Sequence, residues 1–90
     1  MTDFADRVEQ TTAQLTAWCR AHNHHVCADA SVYESTAALL LDRAPDTLCH
    51  WRADGGARVP FYRSGQSGRI RYRLTDLATF IEEQRQDGAT

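Results

Sequence analysis

The chain changes period at Gly55-Gly56, and that switch limits the architectures open to it. Upstream, apolar residues recur at three- and four-residue steps. Downstream, Arg69-Ile70-Arg71-Tyr72-Arg73-Leu74 alternates strictly, as a strand with one packed face does. Its arginines fall on one face and Ile70, Tyr72 and Leu74 on the other. Val59-Pro60-Phe61-Tyr62-Arg63 reads as a second strand, placed at an edge by Pro60, and Ser64 to Gly68 as the hairpin loop between them. Ninety residues allow one small domain with perhaps one appendage, so a multidomain enzyme is excluded.

Before the switch, Phe4, Val8, Leu15, Trp18 and Cys19 share one face of a predicted helix over residues 3–22, with Thr2 as its N-cap and Asp3 and Asp6 at the positive end of its dipole. Asn23 to Asp29 lose the period and read as a linker. Ser31 or Ser35 is expected to cap a second helix ending at Leu41 that presents Ala37, Leu40 and Leu41 to the core. Pro45 suits the first turn of a third helix running to about Asp54, where its missing N–H costs nothing. Only Asp42-Arg43-Ala44 separate these two helices, the spacing of a helix-turn-helix. Thr75 is expected to cap a last helix from Asp76 to about Arg85, with Leu77, Phe80 and Ile81 at core spacing. The division expected is an N-terminal helix and linker over residues 1–28 and a second unit over 29–87. The fold class is mainly α with a small β-hairpin wing, a winged helix-turn-helix preceded by an extra amphipathic helix.

Charge is divided along the chain. Residues 1–42 carry −4 and residues 74–90 carry −3, whereas seven arginines against two aspartates leave residues 43–73 at +5. All ten basic residues are arginine, whose planar fork matches phosphates and guanine edges. A polyanion-binding surface follows from that density more readily than a salt-bridged one. Three cysteines without Cys-x-x-Cys spacing point to reduced thiols. The longest apolar run, Ala37 to Leu41, is far too short to cross a bilayer, and the first residues are acidic where a secretion signal is basic. A cytoplasmic, nucleoid-associated protein with no membrane partner is expected.

Thr47-Leu48-Cys49-His50-Trp51-Arg52, followed by Pro60-Phe61-Tyr62-Arg63 and Arg71-Tyr72-Arg73, resembles the MerR-like winged helices of excisionases and AlpA-type regulators, over residues 32–84. Asp42 stands where family members usually carry the turn glycine, and Asp tolerates left-handed backbone better than most residues. The resemblance implies that the third helix enters the major groove and that the hairpin lies against the backbone or minor groove. It makes Asp46 and His50 the base readers, an aspartate accepting from cytosine and a histidine donating to guanine. Helical spacing puts Cys49 on the same outer face as these two. Arg43, Arg52, Arg63, Arg69, Arg71 and Arg73 are expected at phosphates or in the minor groove, with Ser64 and Gln66 of the loop beside them. An alternative reading has one or two of these arginines pairing with Asp54 or Glu34. The expected core is Leu40, Leu48, Trp51, Phe61, Tyr72, Leu77 and Phe80.

Cys19, His22, His24, His25 and Cys27 carry metal-ligand side chains, but their spacing fits no standard zinc pattern, so no metal or other cofactor is expected. No nucleophile elbow, zincin motif or phosphate-cradling loop occurs, and no enzyme is expected. The resemblance implies a double-stranded-DNA-binding accessory protein of a mobile element, an excisionase or recombination directionality factor that steers a site-specific integrase. Two alternatives are a small transcriptional regulator of such an element and a protein-interaction adaptor. The N-terminal stripe of Phe4, Val8, Leu15 and Trp18 is expected to serve self-association on DNA.

Overall fold

Helix α1, Phe4–Ala21, starts at Asp3, whose side chain accepts from the Asp6 amide at 2.9 Å. Asp3 therefore does the capping that the pattern assigned to Thr2, which lies outside the described residues: the computed structural model describes residues 3–88 except Ala57 and Gln66. The helix closes at Asn23, which takes left-handed backbone at φ 60° while the His24 amide donates to the Cys19 carbonyl at 2.8 Å.

Beyond a tight turn at Ala30, β1, Ser31–Tyr33, occupies the place where a helix start was expected. Three residues are too few to show a period. What makes them a strand is pairing with a partner forty residues away, an interaction with no local signal. Helix α2, Glu34–Leu40, begins directly from Tyr33 with no side-chain cap, so neither Ser31 nor Ser35 serves as one. It buries Thr36, Ala37 and Ala38, half-buries Leu40 and leaves Leu39 56% exposed. Asp42 makes the turn to α3, Pro45–Ala53, with φ 55° and amide bonds from Asp42 and Arg43 to the Leu39 and Ala38 carbonyls. Pro45 occupies the first turn of α3 and Gly55, at φ 71°, follows its end.

Strand β2 is only Tyr62–Arg63, and β3 is Ile70–Arg73. The expected longer strand fails at its start because Val59 dips into the core and Pro60 has no amide to pair. The antiparallel sheet runs β1-β3-β2. Helix α4, Leu74–Gly88, follows β3 without a loop. Its first amide, on Leu74, donates to the Ala30 carbonyl at 2.9 Å, so the helix starts two residues earlier than a Thr75 cap would allow. Among the described residues the molecule is thus mainly helical, with four helices and one small sheet.

Val32, Ala37, Leu48, Val59, Tyr72, Leu74, Leu77 and Cys19 close the core, with Leu15, Leu40, Trp51 and Phe80 packed around it. Of the expected core, Phe61 is the exception at 36% exposure, because it lies over Arg52 and Tyr72 at the rim instead of beneath them. The N-terminal stripe also departs from expectation. Helix α1 packs along α4 of the same chain, burying Val8 and half-burying Leu15, so those two are not free to join another copy. Phe4 is half-buried under the Arg7 guanidinium, and Trp18, 37% exposed, stacks with His22 and His24. Glu82, only 2% exposed, locks the two helices: it accepts from the Thr11 hydroxyl at 3.0 Å and pairs with Arg7 at 3.4 Å and Arg85 at 2.7 Å.

A chain shortened to begin at Asn23 is expected to lose its cooperative thermal transition, since the α4 face that α1 covers would meet water. Melting followed by circular dichroism checks this; a sharp transition within a few degrees of the full chain would contradict the docking of α1.

Candidate functional site

The outward side of α3 carries Asp46, Cys49 and His50, all exposed, while Leu48 is buried and Trp51 half-buried on the other side. Arg43 is exposed in the turn that leads into the helix, and Arg58 lies 5.0 Å from the Trp51 ring beyond its far end. Arg52 does not join this outward group. Its Nε and Nη2 donate to the two Glu34 carboxylate oxygens at 2.6 and 2.9 Å, a fork-to-fork pair between α3 and the start of α2. Tyr72 of β3 donates to the same carboxylate at 3.0 Å, and Phe61 covers the guanidinium at 5.7 Å. Arg52 is therefore held in place by Glu34, which takes two of its five N–H donors.

This network shifts its own titrations. The Arg52 hydrogen bonds hold the Glu34 carboxyl below the usual carboxylate range, and Glu34 in turn raises the Arg52 guanidinium. Burial, and then the neighbouring carboxylate, push Tyr72 up to about 12. Because the folded-state pKa of Glu34 is lowered, its contribution to stability is present above the unfolded value of about 4.3 and fades as pH falls through the folded one. Glu34→Gln is expected to cost about 2 kcal/mol at neutral pH and to flatten that acid limb, as read by denaturant unfolding across pH. An unchanged acid limb would show that the pair contributes nothing.

Strand register sorts the remaining residues. Cross-strand partners share a face, so Ser31 with Arg73, and Tyr33 and Tyr62 with Arg71, lie on one side of the sheet. Val32 with Tyr72, and Arg63 with Ile70, lie on the other, the side that Tyr72 turns toward α2 and α3. Arg63 thus shares the α3 side, and one of its Nη atoms reaches the Gly68 carbonyl at 3.5 Å. Ser64 is half-buried, and its amide donates to the Arg69 carbonyl at the base of the loop. Gln66 lies outside the described residues.

On the outer side, Arg69 sits 3.7 Å from the Tyr33 ring centre, Arg71 5.5 Å from the same ring, and Arg73 5.7 Å from the Tyr62 ring. His25 stacks on Tyr33 as well. The Tyr62 hydroxyl lies within hydrogen-bond reach of both Asp29 and Ser31, the latter at 2.9 Å, and shares its one proton between them, while Ser31 donates to Asp29. These two donors, Ser31 first, hold the Asp29 carboxyl below its ordinary value. Arg71 Nε is buried without a hydrogen-bond partner among the described residues.

The basic segment that reads as one site therefore divides between two surfaces. One carries Arg43, Asp46, Cys49 and His50 around α3, with Arg63 on the sheet face that Tyr72 shares; the other carries Arg69, Arg71 and Arg73 with two tyrosines. Of the seven arginines from 43 to 73, Arg52 is held in an ion pair among the described residues. Sequence reading missed Tyr33 and Tyr62, while the alternative pairing of one arginine with Glu34 is the one that Arg52 makes. The tyrosines had a signal only jointly, as the neighbours of Arg71, and that requires β1 to be known first.

Cys19 and Cys27 are buried, Cys49 is exposed, and all three are free. Burial raises the Cys19 thiol. Among the described residues no three or more His, Cys, Asp or Glu side chains gather as a metal would need, and no helix is long and apolar enough to cross a membrane. Compared with known proteins, the chain matches no family model, no curated protein and no solved structure.

Proposed function

We propose that this protein binds double-stranded DNA as a winged helix-turn-helix, with α3 in the major groove and the β2–β3 hairpin as the wing. The observation that carries the reading is the exposed polar side of α3 flanked by Arg43 and Arg63, neither in an ion pair among the described residues. Left-handed Asp42 gives the two helices the short connection that such a motif uses. Asp46 and His50 then read base edges, and Arg43 and Arg63 hold phosphates. By its resemblance to excisionases, the protein acts as a recombination directionality factor of a mobile element, working on nucleoid DNA beside an integrase.

Binding measured by mobility shift is expected to weaken steeply with salt, by a log–log slope of about −0.9 for each phosphate neutralised. Arg43→Ala with Arg63→Ala should weaken binding to every duplex alike. His50→Ala should cost about 1–3 kcal/mol on the preferred site and relax sequence choice. Binding indifferent to salt, or equal losses on specific and random duplexes for His50→Ala, would refute the DNA reading or the base-reading role respectively.

A further inference from the structure

The outer arginines have no part in the α3 surface. Arg71 and Arg73 project from the opposite face of the sheet, where alternate residues of one strand stand about 6.8 Å apart, and Arg69, just before the strand, lies over the Tyr33 ring on that same side. That gathers three forked cations in one row. No carboxylate forms an ion pair with Arg69, Arg71 or Arg73 among the described residues: Asp29 is held by Ser31 and Tyr62, and Asp76, which shares a cleft with Arg73 and Tyr62, makes no salt bridge. The tyrosines give the row its order: exposed Arg69 and Arg73 lie over aromatic rings that fix the flat face and leave in-plane donors toward solvent, while half-buried Arg71 is anchored by hydrogen bonds to Tyr62 and Tyr33. The same stacking decides the kind of ligand. Tyr33 is covered by Arg69 and His25 and Tyr62 by Arg73, so these rings are not open platforms for unpaired bases, and the donors on offer suit a backbone of regularly spaced phosphates.

We propose that this outer face is a second DNA site, which takes the phosphate backbone of another duplex segment while α3 holds the first. The inference rests on the reading of α3 given under Proposed function. A single copy would then join two stretches of double helix.

The test uses the full chain. A short duplex is fixed to beads, saturated with protein and washed, and capture of a second, labelled random-sequence duplex is measured alongside ordinary one-duplex affinity. R69A/R73A is the informative variant, since both residues are exposed and half-buried Arg71 is left in place. Circular dichroism establishes that it is folded.

The expected result is one-duplex affinity within about twofold of the parent and second-duplex capture down about tenfold, with a salt slope for capture shallower by about two and most of the loss restored by R69K/R73K. Undiminished capture by R69A/R73A overturns the proposal. So does a parent chain that binds one duplex and captures no second, which leaves the α3 reading standing. An equal fall in one-duplex affinity makes the row part of the α3 footprint and overturns it too. The proposal also fails if sedimentation finds two protein copies between the duplexes, or if a single-stranded oligonucleotide is captured in preference to the duplex. A parent chain that binds no duplex removes the α3 reading and this one together.

Discussion

Glu34 is the residue through which three elements are tied. It begins α2, accepts both donors of an Arg52 fork from α3, and accepts the Tyr72 hydroxyl from the middle strand. Helix α2 is seven residues long, too short to hold itself in water, and α3 has only Leu48 fully buried. The relative placing of the two helices and the sheet thus rests on this partly buried carboxylate as well as on the apolar core. A bidentate pair restricts angle as well as distance, which gives the network its value as a positioning device. The cost is one arginine withdrawn from the basic surface.

A second carboxylate, Glu82, plays the matching part on the other side of the molecule. The α1–α4 contact is apolar at Val8 and Leu15, and the buried charge within it takes Arg85 from its own helix but Thr11 and Arg7 from α1. Sliding α1 by a turn would remove those two partners and leave the charge with Arg85 alone. Apolar packing supplies the attraction here, and Glu82 selects one alignment.

The arginines show how a charge count turns into surfaces. A net charge of −2 conceals a segment of +5, and the fold then divides that segment again. Arg52 goes into the core network, Arg58 lies against Trp51, Arg43 and Arg63 stand beside the outward side of α3, and Arg69, Arg71 and Arg73 line the far face of the sheet. The strict alternation of strand side chains enforces the last separation, since moving one residue along a strand moves a side chain to the other face.

Local order was legible in the residues. Helix α1, α3 with Pro45 at its start, the left-handed turn at Asp42, the Gly55 stop and the two-faced strand at Ile70–Arg73 all follow from period, capping and backbone preference, which act over a few neighbours. What the sequence did not carry is whatever depends on contacts between distant residues. Strand β1 exists because Ser31 to Tyr33 find β3; α4 starts at Leu74 because Ala30 offers it a carbonyl; Val8 and Leu15 are spent inside the molecule because α4 lies there to receive them. The same limit governs the candidate site. Charge and alternation announced the arginines and Glu34 as a possible partner, but which arginine takes Glu34 and which of them share a face with Tyr33 and Tyr62 is decided only once the chain has folded back on itself.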